Sequence, residues 1–294
     1  MLRILCLVLV FFLGGPAWAR GPLVVASIFP LYEMVREAGG DYIQAHLLLP
    51  PGADPHSWEP TPQDLLLLRR ADLVFVVGHG LEPWLEDLFQ AIGREKLLQA
   101  TAGAPLLYLD LDSERSVDPH VWLDFKWDAQ LALRLGKALS SVDPSRRETY
   151  QKNAQHLKER FLLLDQKFKD TLKNCQTRTM IIAGHAAFGY WARAYGLEIV
   201  SLAGLSPEAE PTPSALRRAV RLIKEKGLKA VFYEELSSRR FAELLARETG
   251  VKIYYLSPGA TLTKDEMEKG LSFFSLMERN LRYLAEGLSC PKPE

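Results

Sequence analysis

Residues 143–174 read DPSRRETYQKNAQHLKERFLLLDQKFKDTLKN, and the organisation of the whole chain follows from them. No glycine or proline occurs after Pro144 in this stretch. Large apolar residues recur there at helical spacing, at Tyr150, Leu157, Phe161, Leu164 and Phe168. This periodicity predicts one long amphipathic helix. At about 1.5 Å per residue, such a helix is roughly 45 Å long, which suits a rod between two domains.

Apolar runs alternate with helical patterns on both sides of this helix, as in α/β proteins with parallel sheets. Before it, the pattern predicts buried strands at 23–28, 43–49, 73–77 and 106–111, and helices at 31–38, 62–70 and 83–92. After it, the predicted strands are 179–183, 197–202, 230–233 and 251–256, and the predicted helices are 187–195, 213–226 and 239–249. Gly196 and Gly250 are expected to end two of these helices.

The first nineteen residues are typical of a secretory signal peptide. Arg3 precedes an apolar run at 4–13, and Ala17-Trp18-Ala19 supplies a cleavage site. A run of about ten residues is too short for a transmembrane anchor, which needs roughly 20. Cys6 lies inside this run and not after a small-residue cleavage site, so it does not fit lipid attachment. We expect residues 1–19 to be removed and the mature chain to be periplasmic.

Export leaves Cys175 and Cys290 as the two cysteines of the mature chain. An even number of cysteines in an oxidising compartment favours a disulfide between them. Two free thiols are the alternative, because a sequence does not give the distance between the two Cα atoms.

The charge balance argues against one class of function. The 294 residues include 36 basic and 36 acidic side chains, so the formal net charge is zero. A nucleic-acid-binding protein normally needs a basic excess to displace counterions from phosphates. We therefore expect no nucleic-acid partner.

A short repeat links the two halves. Glu59-Pro60-Thr61-Pro62 and Glu210-Pro211-Thr212-Pro213 each precede a helix that leads into an apolar strand. In both copies the threonine can cap the helix, with proline at its first position. The shared context favours duplication of one unit over coincidence.

Three histidines lie where strands are predicted to end. His56 follows the second strand, His120 follows the fourth, and His185 follows the first strand of the second half. Ligands of open parallel sheets bind beyond the carboxyl ends of the strands. Imidazole nitrogen suits zinc, copper and nickel, so convergence of three such rings points first to zinc.

The other three histidines carry weaker signals. His46 falls in a predicted strand and His156 on the long helix, and both are interpreted as structural. His79 follows the third strand, which makes it a candidate for a position close to the metal.

Five motifs carry a resemblance to a known family. They are PGADPH at 51–56 with EPT at 59–61, GLEPWL at 80–85, DPHVWL at 118–123, His185 with FGY at 188–190, and SPEAEP at 206–211. In this order they are similar to the zinc/manganese solute-binding proteins of ABC transporters, the cluster 9 or ZnuA/TroA-like group. The resemblance extends over essentially the whole mature chain.

The resemblance implies two (β/α)₄ lobes with parallel sheets, joined by a rigid backbone helix, with one metal in the cleft between them. The expected segments are an N-terminal metal-binding lobe at 20–142, the linking helix at 143–174 and a C-terminal metal-binding lobe at 175–294. The implied ligands are His56, His120 and His185. The protein would act as a monomer that delivers its metal to a membrane permease driven by a cytoplasmic ATPase.

Two departures from the family pattern bear on the identity of the metal. Many members carry an aspartate ligand after the last strand, where this chain has Ser257. Members that favour manganese often replace the third histidine by a carboxylate, whereas His185 is retained here. Both differences shift the expectation from manganese toward zinc. The long histidine- and acid-rich loop of many zinc-binding members is also missing between Leu109 and Asp118.

The fourth ligand stays open. Zinc prefers four ligands in tetrahedral geometry, so a water or a protein side chain would complete the site. The candidate side chains, either as the fourth ligand or as groups next to the ligands, are Glu234, Glu235, Ser257 and His79. Three histidines and an open position also occur in zinc hydrolases, which makes a hydrolase the alternative from another class. The sequence contains neither a His-Glu-x-x-His nor a Gly-x-Ser-x-Gly motif, so we expect no catalytic residues. A surface adhesin is a third alternative, but it would ordinarily need an anchor.

Overall fold

A computed structural model describes residues 21–111, 114–204, 209–234 and 239–291. The predicted signal peptide, Glu235 and residues 206–208 of the SPEAEP motif lie outside the described residues. Within these ranges, no helix combines the length and the apolar character needed to cross a membrane.

The first half is built on a parallel four-stranded sheet, as predicted. Its strands are β1 (Leu23–Ala26), β2 (Gln44–Leu47), β3 (Leu73–Val76) and β4 (Leu97–Gln99), in the order β2-β1-β3-β4. The helices of this half are α1 (Phe29–Gly39), α2 (Pro62–Arg70) and α3 (Leu85–Ile92). Strand β3 is buried along its whole length, which explains its unbroken apolar sequence.

A strand forms at the predicted position 106–111, but the prediction that it is the fourth buried strand of the parallel sheet is wrong. The short β4 takes that place in the sheet, while β5 (Leu107–Leu111) pairs antiparallel with β6 (Glu114–Asp118) in a separate hairpin. Tyr108 in β5 is 49% exposed, so this strand is not part of the buried sheet. The sequence did not reveal the true fourth strand, because β4 has only three residues, too few to show a periodic pattern. The longer apolar run at 106–111 shows the pattern of a buried strand instead.

The second half repeats the first. Its strands are β7 (Thr179–Ile182), β8 (Glu198–Ser201), β9 (Ala230–Tyr233) and β10 (Lys252–Tyr255), all parallel. The sheet order β10-β9-β7-β8, read from its other edge, is second-first-third-fourth, the same as in the first half. Helices α6 (Gly189–Tyr195), α7 (Pro213–Lys226) and α8 (Arg239–Thr249) accompany this sheet, and α9 (Lys264–Glu268) and α10 (Phe273–Gly287) follow it.

The repeated Glu-Pro-Thr-Pro sequences have the predicted local structure. Thr61 accepts a hydrogen bond from the Asp64 backbone at the start of α2, and Thr212 accepts one from the Ala215 backbone at the start of α7. Proline lies in the first turn of both helices. Shared topology and shared caps support the interpretation of a duplicated unit.

Between the two sheets lies a helical hairpin rather than one helix. It consists of α4 (Phe125–Val142), which was not predicted, and α5 (Arg147–Leu172). The linking helix was predicted at 143–174, but it begins only at Arg147 because the Asp143 side chain accepts a hydrogen bond from the Ser145 backbone and starts a separate short turn.

Helix α5 contacts both halves. Its predicted apolar stripe is buried, at Tyr150, Leu157, Phe161, Leu164 and Phe168. On the N-terminal side, Asn153 Nδ2 donates to the Ala38 carbonyl of α1 at 3.2 Å. On the C-terminal side, Lys167 Nζ lies 2.6 Å from a carboxylate oxygen of Glu278 in α10. A disulfide between Cys175 and Cys290, as expected, joins the end of this linking region to the segment after α10.

Candidate metal centre

His56 lies in the loop between β2 and α2. The Asp54 carboxylate accepts a hydrogen bond from the His56 backbone N–H at 2.9 Å, which folds the loop around the histidine. Gly52, with a φ of 77°, donates its backbone N–H to Thr261 Oγ1 at 3.0 Å. Because Thr261 follows β10, this bond fastens the His56 loop to the second half of the chain. The histidine is half-buried.

His120 follows the hairpin strand β6 and is buried. Asp118, the last residue of β6, accepts a hydrogen bond from the His120 backbone N–H at 3.0 Å, and the same oxygen lies 2.7 Å from His120 Nδ1. The Trp122 ring centroid lies 5.1 Å from that of His120, and the indole donates to the Pro258 carbonyl at 2.8 Å. The His120 segment is therefore also attached to the loop after β10.

His185 lies three residues beyond β7 and is buried. The neighbouring strand β9 ends at Tyr233, so the next residue, Glu234, comes beside it. A carboxylate oxygen of Glu234 lies 2.7 Å from His185 Nδ1, although the two groups are not aligned as a hydrogen bond.

The three predicted histidines meet at one point. One nitrogen from each of His56, His120 and His185 lies within 4.8 Å of the other two. The Nε2 atoms of His120 and His185 are 3.2 Å apart, and their Nδ1 atoms face the two carboxylates. Protons held at Nδ1 leave the Nε2 lone pairs free to coordinate a cation.

The charge state of the centre suits metal binding. Burial, followed by the charges that His120 and His185 carry when protonated, lowers the pKa of His56 to about 3. His56 is therefore neutral at pH 7. A neutral imidazole is the form that binds a metal ion.

The remaining candidates lie outside this group. Glu234 contacts the Nδ1 side of His185, away from the nitrogens that converge. Ser257 is buried, and its hydroxyl accepts a hydrogen bond from the Gly259 backbone at 3.1 Å. His79 is exposed in a turn with a φ of 49°. Within the described residues, the three histidines form the one group of potential ligands.

Two buried carboxylates were missed by sequence reasoning. Asp118 belongs to the DPHVWL motif, and its position two residues before His120 could have indicated the contact. Glu82 accepts hydrogen bonds from Ser27 Oγ at 2.6 Å and from the backbone of Val77 and Gly78, both at 2.8 Å. Burial raises the pKa of Glu82, and its contacts join the ends of β1 and β3.

Several known proteins are similar to this chain in sequence and in structure. The chain is 30% identical to the high-affinity zinc uptake system protein ZnuA of Bacillus subtilis, over 90% of this chain and 87% of the relative. It is 29% identical to the zinc-binding lipoprotein AdcA of Streptococcus pneumoniae, over 97% of this chain but only 60% of that longer protein. The structure resembles that of the Zn(II)-bound ZnuA-like domain of S. pneumoniae AdcA, with a TM-score of 0.78, 30% identity and coverage of 91% and 99% of the two chains.

These similarities confirm the resemblance inferred from the five motifs. The family model described as ZnuA, zinc-uptake complex component A, periplasmic, matches residues 24–287. The chain belongs to this family of ABC transporter solute-binding proteins.

Proposed function

We propose that this protein binds zinc outside the cytoplasmic membrane and delivers it to the permease of an ABC transporter. The observation that carries the proposal is the convergence of His56, His120 and His185, with one nitrogen of each within 4.8 Å of the others. These ligands come from three separate segments of the chain. The zinc ion is the transported solute, and the histidines would hold it between the two halves.

The donor set supports zinc over manganese. Three neutral imidazoles and one further ligand, such as water, match the tetrahedral coordination of zinc. Manganese favours carboxylate and carbonyl oxygen, and within the described residues no carboxylate joins the three converging nitrogens. The names of the bacterial relatives, which refer to zinc uptake and zinc binding, agree with this choice.

The geometry supports a binding protein rather than a hydrolase. A hydrolytic zinc site needs a general base beside the metal-bound water. Asp118 and Glu234 approach the Nδ1 atoms of two histidine rings, on the side opposite to the metal position. Neither carboxylate is placed to accept a proton from a water on the metal.

The remaining assignments complete the proposal. Residues 1–19 would be a cleaved signal peptide, and the mature protein would be a periplasmic monomer. Residues 20–142 and 175–294 would form the two metal-binding lobes, with 143–174 as the linking segment. The pneumococcal relative is named a lipoprotein, whereas the position of Cys6 inside the apolar run favours release of this chain from its signal peptide. The partners would be a membrane permease and its cytoplasmic ATPase.

Metal analysis and calorimetry test the proposal. Purified metal-free protein should bind about one zinc ion per chain and bind manganese more weakly, and replacement of all three histidines by alanine should abolish zinc binding. The absence of stoichiometric zinc, or tight zinc binding by the triple variant, would contradict the assignment. Ester hydrolysis that depends on zinc and on the three histidines would favour the hydrolase instead.

A further inference from the structure

The metal centre has an unbalanced charge if only its ligands are counted. Three neutral imidazoles contribute no negative charge, and within the described residues no carboxylate joins them as a ligand. A divalent cation at a buried site is strongly disfavoured unless nearby negative charge compensates it. The compensating charge must therefore come from groups behind the ligands.

Asp118 and Glu234 are the two groups in that position. Their carboxylates are 0% and 1% exposed, and each has an oxygen 2.7 Å from the Nδ1 atom of a histidine. Within the described part of the chain, neither has an ion pair with lysine or arginine. Asp118 Oδ2 and both carboxylate oxygens of Glu234 also have no hydrogen-bond partner there. Two buried charges without a cationic partner are costly unless a cation binds beside them.

We propose that Asp118 and Glu234 supply the two negative charges that balance a bound divalent cation. Each acts through a ring: the carboxylate attracts the Nδ1 proton, which makes Nε2 of His120 or His185 a stronger donor to the metal. With three neutral histidines, two carboxylates and a doubly charged ion, the assembly has no net charge. Both are positioning residues that favour divalent over monovalent cations, and their role rests on the proposed zinc-binding function.

The substitution Asp118→Asn separates charge from geometry. Asp118 Oδ1 accepts the His120 backbone N–H as well as contacting its ring. An asparagine carbonyl can accept both hydrogens, so the variant loses the charge while the loop keeps its fold. Loss of an outer partner of a metal-binding histidine typically lowers metal affinity about 10- to 100-fold. We expect a loss of that size for zinc in Asp118→Asn and in Glu234→Gln.

A monovalent ion distinguishes lost charge from displaced ligands. The Coulomb attraction between a carboxylate and a cation scales with the charge of the cation. Ag⁺ also binds imidazole nitrogen but carries a single charge. The logarithm of its loss in affinity should therefore be half that of Zn²⁺, so Ag⁺ binding should weaken about 3- to 10-fold. Displaced histidines would instead weaken the binding of both ions by similar factors.

The experiment compares zinc and silver titrations of the mature wild-type protein, residues 20–294, and its variants in chloride-free buffer. Glu82→Gln is the matched control, because Glu82 is buried but has its hydrogen bonds to Ser27, Val77 and Gly78. It should keep wild-type zinc affinity. Glu234→Asp, which keeps the charge, should recover most of the affinity lost in Glu234→Gln.

Several results would overturn the inference. These are unchanged zinc affinity in both charge-removing variants, equal losses for zinc and silver, or a Glu234→Asp variant as weak as Glu234→Gln. If the wild-type protein itself binds no zinc, the proposed function fails, which the wild-type titration reports separately. Circular dichroism of each variant identifies any loss that comes from misfolding, and for a misfolded variant the remaining charge-removing variant decides.

Discussion

Zinc should stabilise the fold by an amount that depends on His185. In the proposed site this residue would contribute a ligand from the second half, whereas His56 and His120 come from the first, so a bound ion would crosslink the halves. At a free zinc concentration 100 times the dissociation constant, binding to the native state adds about 2.7 kcal/mol. For a chain of this size, about 2–4 °C per kcal/mol converts this gain into a rise of roughly 5–11 °C in the melting temperature.

The substitution His185→Ala should remove nearly all of this effect. Its side chain is buried, and its Nε2 lies 3.2 Å from that of His120. Removal of a group that hydrogen-bonds to a metal ligand typically lowers metal affinity about 10- to 100-fold. Loss of the ligand itself should therefore weaken zinc binding at least about 100-fold. At the same free zinc concentration, the variant then gains at most about 0.4 kcal/mol, a rise of roughly 1–2 °C.

Thermal unfolding followed by circular dichroism, with and without buffered zinc, measures the difference. His79→Ala is the control, because His79 is exposed and lies outside the three-histidine group. It should keep the full zinc-dependent rise. If His185→Ala were stabilised by zinc as much as the wild-type protein, the assignment of His185 as a ligand would be refuted.

Three further predictions concern the fold and the charge of the centre. A β-carbon at Gly136 would lie 2.5 Å from that of Ala154, so Gly136→Ala should lower the free energy of unfolding by about 1–3 kcal/mol, measured in urea. Replacement of Cys175 and Cys290 by serine opens a loop of 115 residues and should cost about 2–4 kcal/mol; reductant should destabilise only the wild-type protein. The pKa of His56 falls from 6.5 to about 3 on folding, so the unfolded chain binds more protons in this range. The free energy of unfolding of the metal-free protein should therefore decrease as the pH is lowered from 6.5 to about 3. His56→Gln should make this dependence on pH weaker, as measured by urea titrations at a series of pH values.

Local signals gave several elements their correct bounds. Helices α2 and α7 begin at the prolines of the repeated motif, where a threonine cap and a fixed proline φ define the first turn. Gly196 and Gly250 adopt the positive φ expected after a helix. The convergence of the three histidines was expected from their positions near strand ends, and one nitrogen of each lies close to the other two. The argument from parallel strands applies to His56 and His185, whereas His120 follows the hairpin strand β6 and reaches the same place by a route that the sequence did not indicate.

Elements that depend on distant contacts were harder to predict. Helix α4 contains Gly136, which weakens the helical pattern, and only the structure shows that its missing side chain admits Ala154 of α5. Strand β4 is formed by three residues that pair with β3. The contact between Glu234 and His185 depends on β9 lying beside β7, and strand order cannot be read from local periodicity.

The common strand order of the two sheets shows how the metal centre is divided between the halves. The halves share one strand order, yet their histidines occupy different positions within it: His56 follows a second strand, whereas His185 follows a first strand. His120 follows a hairpin that has no counterpart in the described residues of the second half. The centre is therefore not repeated together with the fold. Neither half alone carries all three histidines, so the proposed metal site needs both halves.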